Sequence, residues 1–294
     1  MSIVITTPTG NIGSKLSRLL LDQGEEITVV ARDRSKVKDL EDRGAKVVEG
    51  SHGDADVLKQ ATRGARALFL VTPPDFATKD LRGHYGRFGE AAVQAIRENG
   101  IGHVVHVSSV GAELTSGTGP VLGLHDNEER LDEAASSIAH LRPAYFMENT
   151  LGQIGPIQQA SSLFTTFKKG TRFPMIATRD IAERAAELLT HLDWTGRRIV
   201  ELQGPDEIGY EDVAEDLSDV LCREINHVTV PPEALRESLA GMGASTEVAD
   251  SFIELASGVE QGRIHFHEPR TAETTTMTRY AAFAREVFKP AFES

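Results

Sequence analysis

Short apolar runs alternate with longer amphipathic segments through the first half of the chain. Runs rich in β-branched residues predict six strands, at residues 3–6, 27–31, 46–48, 67–71, 103–107 and 138–141. Between strands, residues 12–21 and 81–99 carry apolar positions at helical spacing. Alternating strands and helices are typical of βαβ units, and unbroken apolar strands are typical of a sheet covered on both faces. The pattern predicts an α/β fold with a Rossmann-like, doubly wound parallel sheet.

The pattern changes after about residue 143. Gly, Pro and polar residues dominate up to residue 174 and predict loop with a short helix. Beyond this stretch the chain predicts helices at 179–192, 210–222, 231–262 and 276–292 and a strand at 199–202. We therefore predict a Rossmann domain at 1–150 that 176–205 rejoins, a cleft loop at 151–175, and a smaller helix-rich C-terminal lobe at 206–294.

Charge is distributed unevenly along the chain. The 31 Lys and Arg against 44 Asp and Glu leave a net charge of −13, which opposes binding to nucleic acid or to an anionic membrane. Residues 206–224 hold eight acids and one Arg, whereas residues 32–38 carry a net charge of +3. The acidic segment keeps helical apolar spacing and indicates a solvated helix face. We expect a small-molecule partner and neither nucleic acid nor membrane.

Cysteine usage and the N-terminal residues bear on the compartment. Cys222 is the single cysteine, so no intrachain disulfide forms. The chain enters its first predicted strand without a signal-peptide pattern, and its long uncharged stretch at 149–167 is too polar to span a bilayer. These features predict a reducing, cytoplasmic location.

A glycine-containing turn connects the first predicted strand to the first helix. Residues 7–13 read Thr-Pro-Thr-Gly-Asn-Ile-Gly, in the strand, turn and helix context of a dinucleotide fingerprint. Gly10 would let backbone approach a pyrophosphate, and Gly13 would let the helix pack closely on the sheet. Thr7 stands where the fingerprint has its first glycine. The turn predicts nucleotide binding, although a plain strand-to-helix turn would use the same glycines.

A basic residue follows the second predicted strand. Arg32 lies 22 residues after Gly10, where an acidic residue suits the ribose of NAD and a basic one the 2′-phosphate of NADP. A guanidinium can donate two hydrogen bonds to one phosphate, and Lys36 adds nearby positive charge. The alternative is an ordinary solvated helix start, since Asp33 and Ser35 are good capping residues. We expect NADP(H) to be preferred over NAD(H).

Chemical groups follow two further strands. Thr72, Pro73 and Pro74 follow the fourth strand, and Ser108 and Ser109 follow the fifth, at the edge where ligands bind to parallel sheets. These hydroxyls could equally be plain strand-end caps. Ser109 lacks the preceding glycine of a nucleophile elbow, because Val107 occupies that position, so a serine hydrolase is not expected.

No strong proton donor stands out. The Tyr-x-x-x-Lys pair of common short-chain dehydrogenases is absent at all four tyrosines. His125, one helical turn before Glu129, could donate a proton near neutral pH or could simply cap a surface helix. His265 and His267 would share one side of a predicted strand but lack a third ligand. No metal site is predicted.

These motifs resemble the NmrA-like branch of the atypical short-chain dehydrogenases/reductases over nearly the whole chain. The resemblance rests on the 9–13 turn, Arg32, residues 71–74, residues 103–109 and, most specifically, Leu-Arg-Pro-Ala-Tyr-Phe-Met-Glu-Asn at 141–149. The family includes quinone reductases, isoflavone-reductase relatives and cofactor-binding redox regulators.

The resemblance also implies roles for particular residues. The cofactor contacts that it implies are pyrophosphate at Thr9, Gly10, Asn11, Ile12 and Gly13, the 2′-phosphate at Arg32, the adenosine-side ribose or diphosphate edge at Thr72 and Pro73, and nicotinamide at Ser108 and Ser109. Tyr145, Phe146 and Asn149 would border the substrate. Ser51, followed by His52, replaces a frequent Asp beside adenine, and Thr7, Lys36 and Pro74 complete the expected cofactor site.

The motifs together favour an NADPH-dependent oxidoreductase that reduces a quinone or a similar conjugated carbonyl. A hydroquinone oxyanion can take its proton from water, so this chemistry tolerates the missing Tyr/Lys pair. The alternative is a non-catalytic NADP(H)-binding redox sensor that acts on a protein partner. An isomerase would need an acid/base pair that the sequence lacks. A homodimer is compatible with either reading.

Overall fold

A computed structural model describes all 294 residues, Met1–Ser294. Its strands, in chain order, are β1 (Ile3–Thr6), β2 (Ile27–Ala31), β3 (Lys46–Glu49), β4 (Ala67–Leu70), β5 (His103–Val107), β6 (Ser137–Pro143), β7 (Tyr145–Phe146), β8 (Ser162–Thr165), β9 (Phe173–Ile176), β10 (Gly196–Leu202), β11 (Glu207–Ile208) and β12 (Asn226–Thr229). Seven of them form one sheet in the order β10-β6-β5-β4-β1-β2-β3, with every neighbouring pair parallel. The predicted Rossmann-like α/β fold is confirmed.

The helices connect and cover these strands. In chain order they are α1 (Asn11–Asp22), α2 (Lys38–Asp42), α3 (Ala55–Thr62), α4 (Leu81–Asn99), α5 (Val121–Asp132), α6 (Ile154–Ala160), α7 (Thr178–Thr190), α8 (Tyr210–Leu221), α9 (Pro232–Gly241), α10 (Thr246–Glu260), α11 (Tyr280–Phe283) and α12 (Lys289–Glu293). Short 3-10 turns cover Arg34–Val37 and Met147–Gln153, and a π-helical turn covers Ala284–Phe288. None of the helices is both long and apolar enough to traverse a bilayer.

The large sheet is buried on both faces. Helices α1 and α7 pack against each other on one face, and α3, α4 and α5 form a row on the other. Ile3 and Ile5 of β1 belong to the first core, whereas Val4 between them belongs to the second. Because successive side chains of a strand point to opposite faces, a doubly covered strand must be apolar throughout. This double burial explains the continuous apolar runs from which the strands were predicted.

A further core lies beyond the sheet. It joins aromatic and aliphatic side chains of residues 147–177 to α8 and the C-terminal helices, including Leu163, Phe173, Tyr210 and Phe283. The division of the chain into a Rossmann domain, a cleft loop and a C-terminal lobe stays a prediction.

The structure corrects the sequence pattern in three places. Residues 144–174, predicted as loop and short helix, also contain β8 and much of β9, because β12 and β11 supply partners from far along the chain. The predicted helix 231–262 is two helices, since Gly243 adopts φ +88° and Ser245 caps α10 through a bond from the Val248 amide. His265 and His267 lie on irregular backbone, not on a strand.

Candidate functional site

The carboxyl ends of the central strands open into one large cavity. It has a volume of about 670 Å³ and lies beside the ends of β1, β4, β5 and β6. The strand order reverses between β1 and β4, and open α/β sheets bind ligands at such a switch point. None of the 39 residues that line the cavity is Asp, Glu, Lys or Arg. The cavity therefore suits an uncharged or delocalised group at its apolar end.

The glycine turn forms one end of this cavity. The Gly10 amide donates to the Thr7 carbonyl at 3.0 Å, and Thr7 itself has φ +53°. That left-handed conformation is the one a glycine adopts freely, so Thr7 takes the glycine shape at some steric cost. A Cβ at Gly13 would lie 2.2 Å from the Thr7 carbonyl oxygen. The first turn of α1 can approach the strand end this closely only because Gly13 has no side chain.

One buried hydroxyl in the cavity lining has no partner within the protein. Thr72 Oγ1 makes no hydrogen bond although the residue is more than nine-tenths buried, whereas the equally buried Ser108 hydroxyl lies beside the Glu128 carboxylate and helps to lower its pKa. Buried polar atoms are normally paired, so an unpaired hydroxyl that lines a cavity marks a place for a polar ligand atom. Together with the amide-bearing N-terminus of α1, the Thr72 hydroxyl fits the polar parts of a dinucleotide.

The structure brings most of the predicted site residues together. The predicted residues that line the cavity are Thr7, Gly10, Asn11, Ile12, Gly13, Thr72, Pro73, Pro74, Ser108, Ser109, Tyr145, Phe146 and Asn149. Those that do not line it are Thr9, Arg32, Lys36, Ser51, His52 and His125. The roles assigned to all of these residues stay predictions.

Basic residues that do not line the cavity follow the end of β2. Arg32 directly follows β2, which is the neighbour of β1, and its exposed side chain makes no hydrogen bond or ion pair. Arg34, by contrast, is held by Glu41, and Asp33 caps the following turn by accepting from the Ser35 amide. Lys36 is exposed and also without a partner. The side chains of Arg32 and Lys36, beyond the end of β2, are thus both available to bind an anion.

Ser51 and His52, the residues expected beside adenine, both form hydrogen bonds within the protein. The His52 ring bonds to the Val71 carbonyl at 2.9 Å, and burial lowers the pKa of His52 to about 4. Ser51 Oγ accepts a hydrogen bond from the Gly53 amide. His52 is therefore a neutral, fixed wall at neutral pH.

His125 lies on α5, away from the cavity lining. Its Nδ1 donates to the Ala112 carbonyl at 2.8 Å, and its Nε2 is 3.6 Å from Glu129. Asp126 is also near, but Arg82 binds that carboxylate through two hydrogen bonds. The hypothesis that His125 donates a proton to a substrate stays a prediction.

An aromatic wall closes the other end of the cavity. Tyr145, Phe167, Phe173 and Tyr210 form a continuous set of ring contacts, and the Tyr210 hydroxyl donates to the Tyr145 hydroxyl at 3.1 Å. Helices α9 and α10 complete the enclosure with apolar residues, among them Phe252. Sequence reasoning placed Tyr145 here but missed Tyr210, Phe167 and Phe173. Their only signal was that they fall in the predicted cleft loop at 151–175 and the predicted C-terminal lobe at 206–294.

Comparison with known proteins decides the family. The chain matches the NmrA-like family over residues 1–274. The protein belongs to the NmrA-like family. A relative of this NmrA-like chain, the NAD(P)H azoreductase of Xenophilus azovorans, is 26% identical over 255 residues, which cover 86% of this chain and 85% of the relative.

Two solved structures share the fold of this NmrA-like protein. Citrobacter sp. triphenylmethane reductase has a TM-score of 0.81 at 18% identity and covers 100% of both chains. The NADPH-dependent quinone oxidoreductase of Escherichia coli, in complex with NADPH, has a TM-score of 0.79 at 19% identity, covering 97% of this chain and 99% of that chain. At these identities, the likeness establishes the fold.

A buried ion network lies next to the carboxyl ends of β5 and β6 in this NmrA-like protein. Arg142 of β6 donates to both carboxylate oxygens of Glu128, at 3.0 and 2.7 Å, and to Glu113 at 2.9 Å. Burial acts to raise the pKa of Glu128, but hydrogen bonds from Arg142 and the charge of His140 hold it below its ordinary value. The next residue of β6, Pro143, accepts from the Val110 amide, so the network anchors the backbone beside Ser108 and Ser109.

Proposed function

We propose that this protein is an NADPH-dependent oxidoreductase that reduces a quinone or a similar conjugated carbonyl compound. The observation that carries the proposal is one continuous cavity that joins a dinucleotide-type glycine turn to an uncharged aromatic compartment. A hydride donor and a flat apolar acceptor would thus share one enclosure. The azoreductase relative supports the same class, since its name also describes reduction of a conjugated aromatic acceptor.

The residues of the turn and of the strand ends would hold the cofactor. Thr9, Gly10 and Asn11, with Ile12 and Gly13, would present the N-terminus of α1 to the pyrophosphate. Thr72 would donate its unpaired hydroxyl to a polar atom of the cofactor, with Thr7, Pro73, Pro74, Ser108 and Ser109 around it and Ser51 and His52 beside adenine. When bound, the reduced nicotinamide supplies hydride. A small-molecule substrate would lie against Tyr145, Phe146 and Asn149.

The lining restricts the substrate. Substrates with a localised charge are costly to desolvate without a paired charge, and no Asp, Glu, Lys or Arg lines the cavity. A phosphorylated or carboxylated acceptor therefore fits poorly, whereas a quinone is neutral and planar. The hydroquinone oxyanion can take its proton from water, so no Tyr/Lys pair is needed.

Turnover tests the proposal against its alternative. With NADPH and a panel of benzoquinones, we expect acceptor-dependent oxidation of NADPH, followed by absorbance. At about 100 times its Kd, NADPH should stabilise the fold by roughly 2.7 kcal/mol. Stabilisation by NADPH without turnover of any acceptor would instead support the redox sensor that acts on a protein partner, and no stabilisation would contradict cofactor binding itself.

Preference for NADPH should depend on Arg32. Arg32→Glu is expected to weaken NADPH binding by about 10- to 100-fold, because a charge-assisted phosphate contact worth about 1.5–3 kcal/mol is lost. NADH binding should change by less than about threefold, since NADH has no 2′-phosphate. Titration calorimetry with both cofactors measures the difference.

Arg63→Glu is the matched control. Arg63 is exposed and lies before β4, on the side of the amino ends of the strands. The same charge reversal is therefore made away from the carboxyl ends, where the glycine turn lies. Its effect on the two affinities should be small and equal. Equal losses for NADPH and NADH in Arg32→Glu would show that Arg32 does not contact the 2′-phosphate.

A further inference from the structure

Two tyrosine hydroxyls meet in the wall of the cavity. The Tyr210 hydroxyl donates to the Tyr145 oxygen at 3.1 Å, and both residues line the cavity. Tyr210 is 4% exposed and stacks on Phe167 with ring centroids 5.8 Å apart and planes 17° apart. Tyr145 packs edge-on against Phe173. Such contacts hold both phenols in one orientation, so the hydroxyl pair is preorganised.

The number of protons on the two hydroxyls determines which of them donates to the other and which can donate to a ligand. A phenol has one proton, and Tyr210 uses its proton on the Tyr145 oxygen. The proton of Tyr145 is therefore directed away from Tyr210. Asn149, another cavity residue, acts with Tyr210 to oppose the rise in the pKa of Tyr145, which is the effect of a donor to the phenol oxygen. With both neighbours donating to its oxygen, Tyr145 keeps its own proton for a ligand.

Tyr145 lies between the strand ends, where the cofactor is expected, and the aromatic wall of the cavity. It lies two residues after the end of β6, the sheet neighbour of β5, and Ser108 and Ser109 follow β5. Few other titratable side chains are available in the lining: Tyr85 lies on α4, and His265 uses Nδ1 to donate to the Gly262 carbonyl. Tyr145 is thus the rigidly held donor between the strand ends and the aromatic wall.

We propose that Tyr145 is a catalytic residue that donates a hydrogen bond to the acceptor oxygen on which negative charge develops, and that Tyr210 is its positioning residue. This role rests on the proposed function. The reduced nicotinamide, when bound, would supply hydride by cleavage of its C–H bond and would be left oxidised. In the acceptor, a new C–H bond would form at the carbon conjugated with the carbonyl, the C=C π pair would shift toward the carbonyl carbon, and the C=O π pair would move to oxygen. The oxyanion is stabilised by the Tyr145 O–H and then takes its proton from water, so Tyr145 keeps its own proton.

The ionisation behaviour of the pair agrees with donation without transfer. Burial raises the pKa of Tyr145, and burial together with the neighbouring Tyr145 raises the pKa of Tyr210 further. Both hydroxyls therefore remain protonated at all ordinary pH values. A donor that never ionises stabilises an oxyanion electrostatically, as an oxyanion hole does.

Equilibrium binding tests the donor without any turnover. We expect Tyr145→Phe to weaken binding of 4-nitrophenolate about tenfold, the effect of one lost hydrogen bond to a charged oxygen, and Tyr210→Phe to weaken it less. Binding of 4-nitroanisole, which has the same ring but cannot ionise, should be unchanged in both variants. The absorbance of the bound nitrophenolate reports its charge state directly.

Acceptor comparison tests the catalytic role. With a benzoquinone, kcat of Tyr145→Phe should fall about 100-fold, the effect of losing one oxyanion donor. With a triphenylmethyl cation dye, the fall in kcat should be at least about tenfold smaller, because hydride addition to a carbocation gives a neutral product without an oxyanion. Tyr280→Phe is the control: its hydroxyl donates to Thr150 Oγ1 in the same core, outside the cavity lining.

The outcomes separate this inference from the proposed function. Unchanged nitrophenolate affinity in Tyr145→Phe, or equal losses with quinone and dye, would overturn the role of Tyr145. If the wild type reduces no acceptor, the proposed function fails, whereas the nitrophenolate titration still reports whether Tyr145 is the donor. Because Tyr→Phe keeps the ring, a melting temperature near that of the wild type shows that the variants are folded.

Discussion

Replacing Glu128 with alanine is expected to lower the free energy of unfolding by about 3–5 kcal/mol, because the buried guanidinium of Arg142 loses its main ion partner. Arg142 is 6% exposed and Glu128 is 3% exposed, and the two form a two-point contact. Glu113 would remain as a single, more exposed partner. Urea unfolding at neutral pH measures the loss.

Glu129→Ala provides the matched control. Glu129 is the next residue of α5, its side chain is 71% exposed, and its contact with His125 is long. An exposed change of this kind should stay within about 0.5 kcal/mol. Glu128→Leu with Arg142→Met should recover much of the loss, since removing both charges leaves neither unpaired. A Glu128→Ala variant as stable as the control would show that the buried charge of Arg142 does not need Glu128 to be stabilised.

The same ion pair predicts sensitivity to acid. The pKa of Glu128 is lowered in the folded protein from its ordinary value of 4.5. A carboxylate of this kind stabilises the fold fully above its unfolded pKa, and its contribution is lost as the pH falls through the lower folded value. In Glu128→Gln the free energy of unfolding should therefore decline less steeply below about pH 4.5 than in the wild type.

The sheet was predictable because each strand is enclosed on both faces. Val29 and Val30 of β2 lie in different cores, so the apolar pattern is continuous and can be read without knowing the partners. Residues 162–165 and 173–176 carry no comparable run. They become strands because β12 pairs with β8, and β11 and β7 pair with β9, and such distant pairing leaves little local signal.

The candidate site divides in the same way. The turn at Gly10 and Gly13 and the strand-end residues could be located because a parallel sheet places all carboxyl ends on one edge. Tyr210 could not, because its partner Tyr145 is 65 residues away and the helix that carries it was predicted only as an acidic solvated helix. The three-dimensional packing shows that one face of α8 is buried against the aromatic wall, and this contact could not be read from the sequence.

Gly13→Ala is expected to lower the free energy of unfolding by about 3 kcal/mol and to weaken NADPH binding by about 10- to 100-fold. Helix propensity alone would favour alanine by about 1 kcal/mol, so a loss of stability has the opposite sign. The added Cβ would lie 2.2 Å from the Thr7 carbonyl oxygen and 2.9 Å from its carbon. These are backbone atoms that cannot rotate away, so α1 must move off the strand end, at a cost typical of overpacking.

The displaced helix explains the loss of affinity. The amides of the first turn of α1 would no longer reach the pyrophosphate, and one charge-assisted hydrogen bond is worth about 1.5–3 kcal/mol, or about 10- to 100-fold in Kd. Gly155→Ala is the matched control, since Gly155 is also helical but would place its Cβ in open space. It should leave NADPH affinity unchanged and stability equal or slightly higher. Calorimetric titration and thermal unfolding of both variants make the comparison, and a Gly13→Ala protein that binds NADPH like the control would contradict the close approach of α1 to the cofactor.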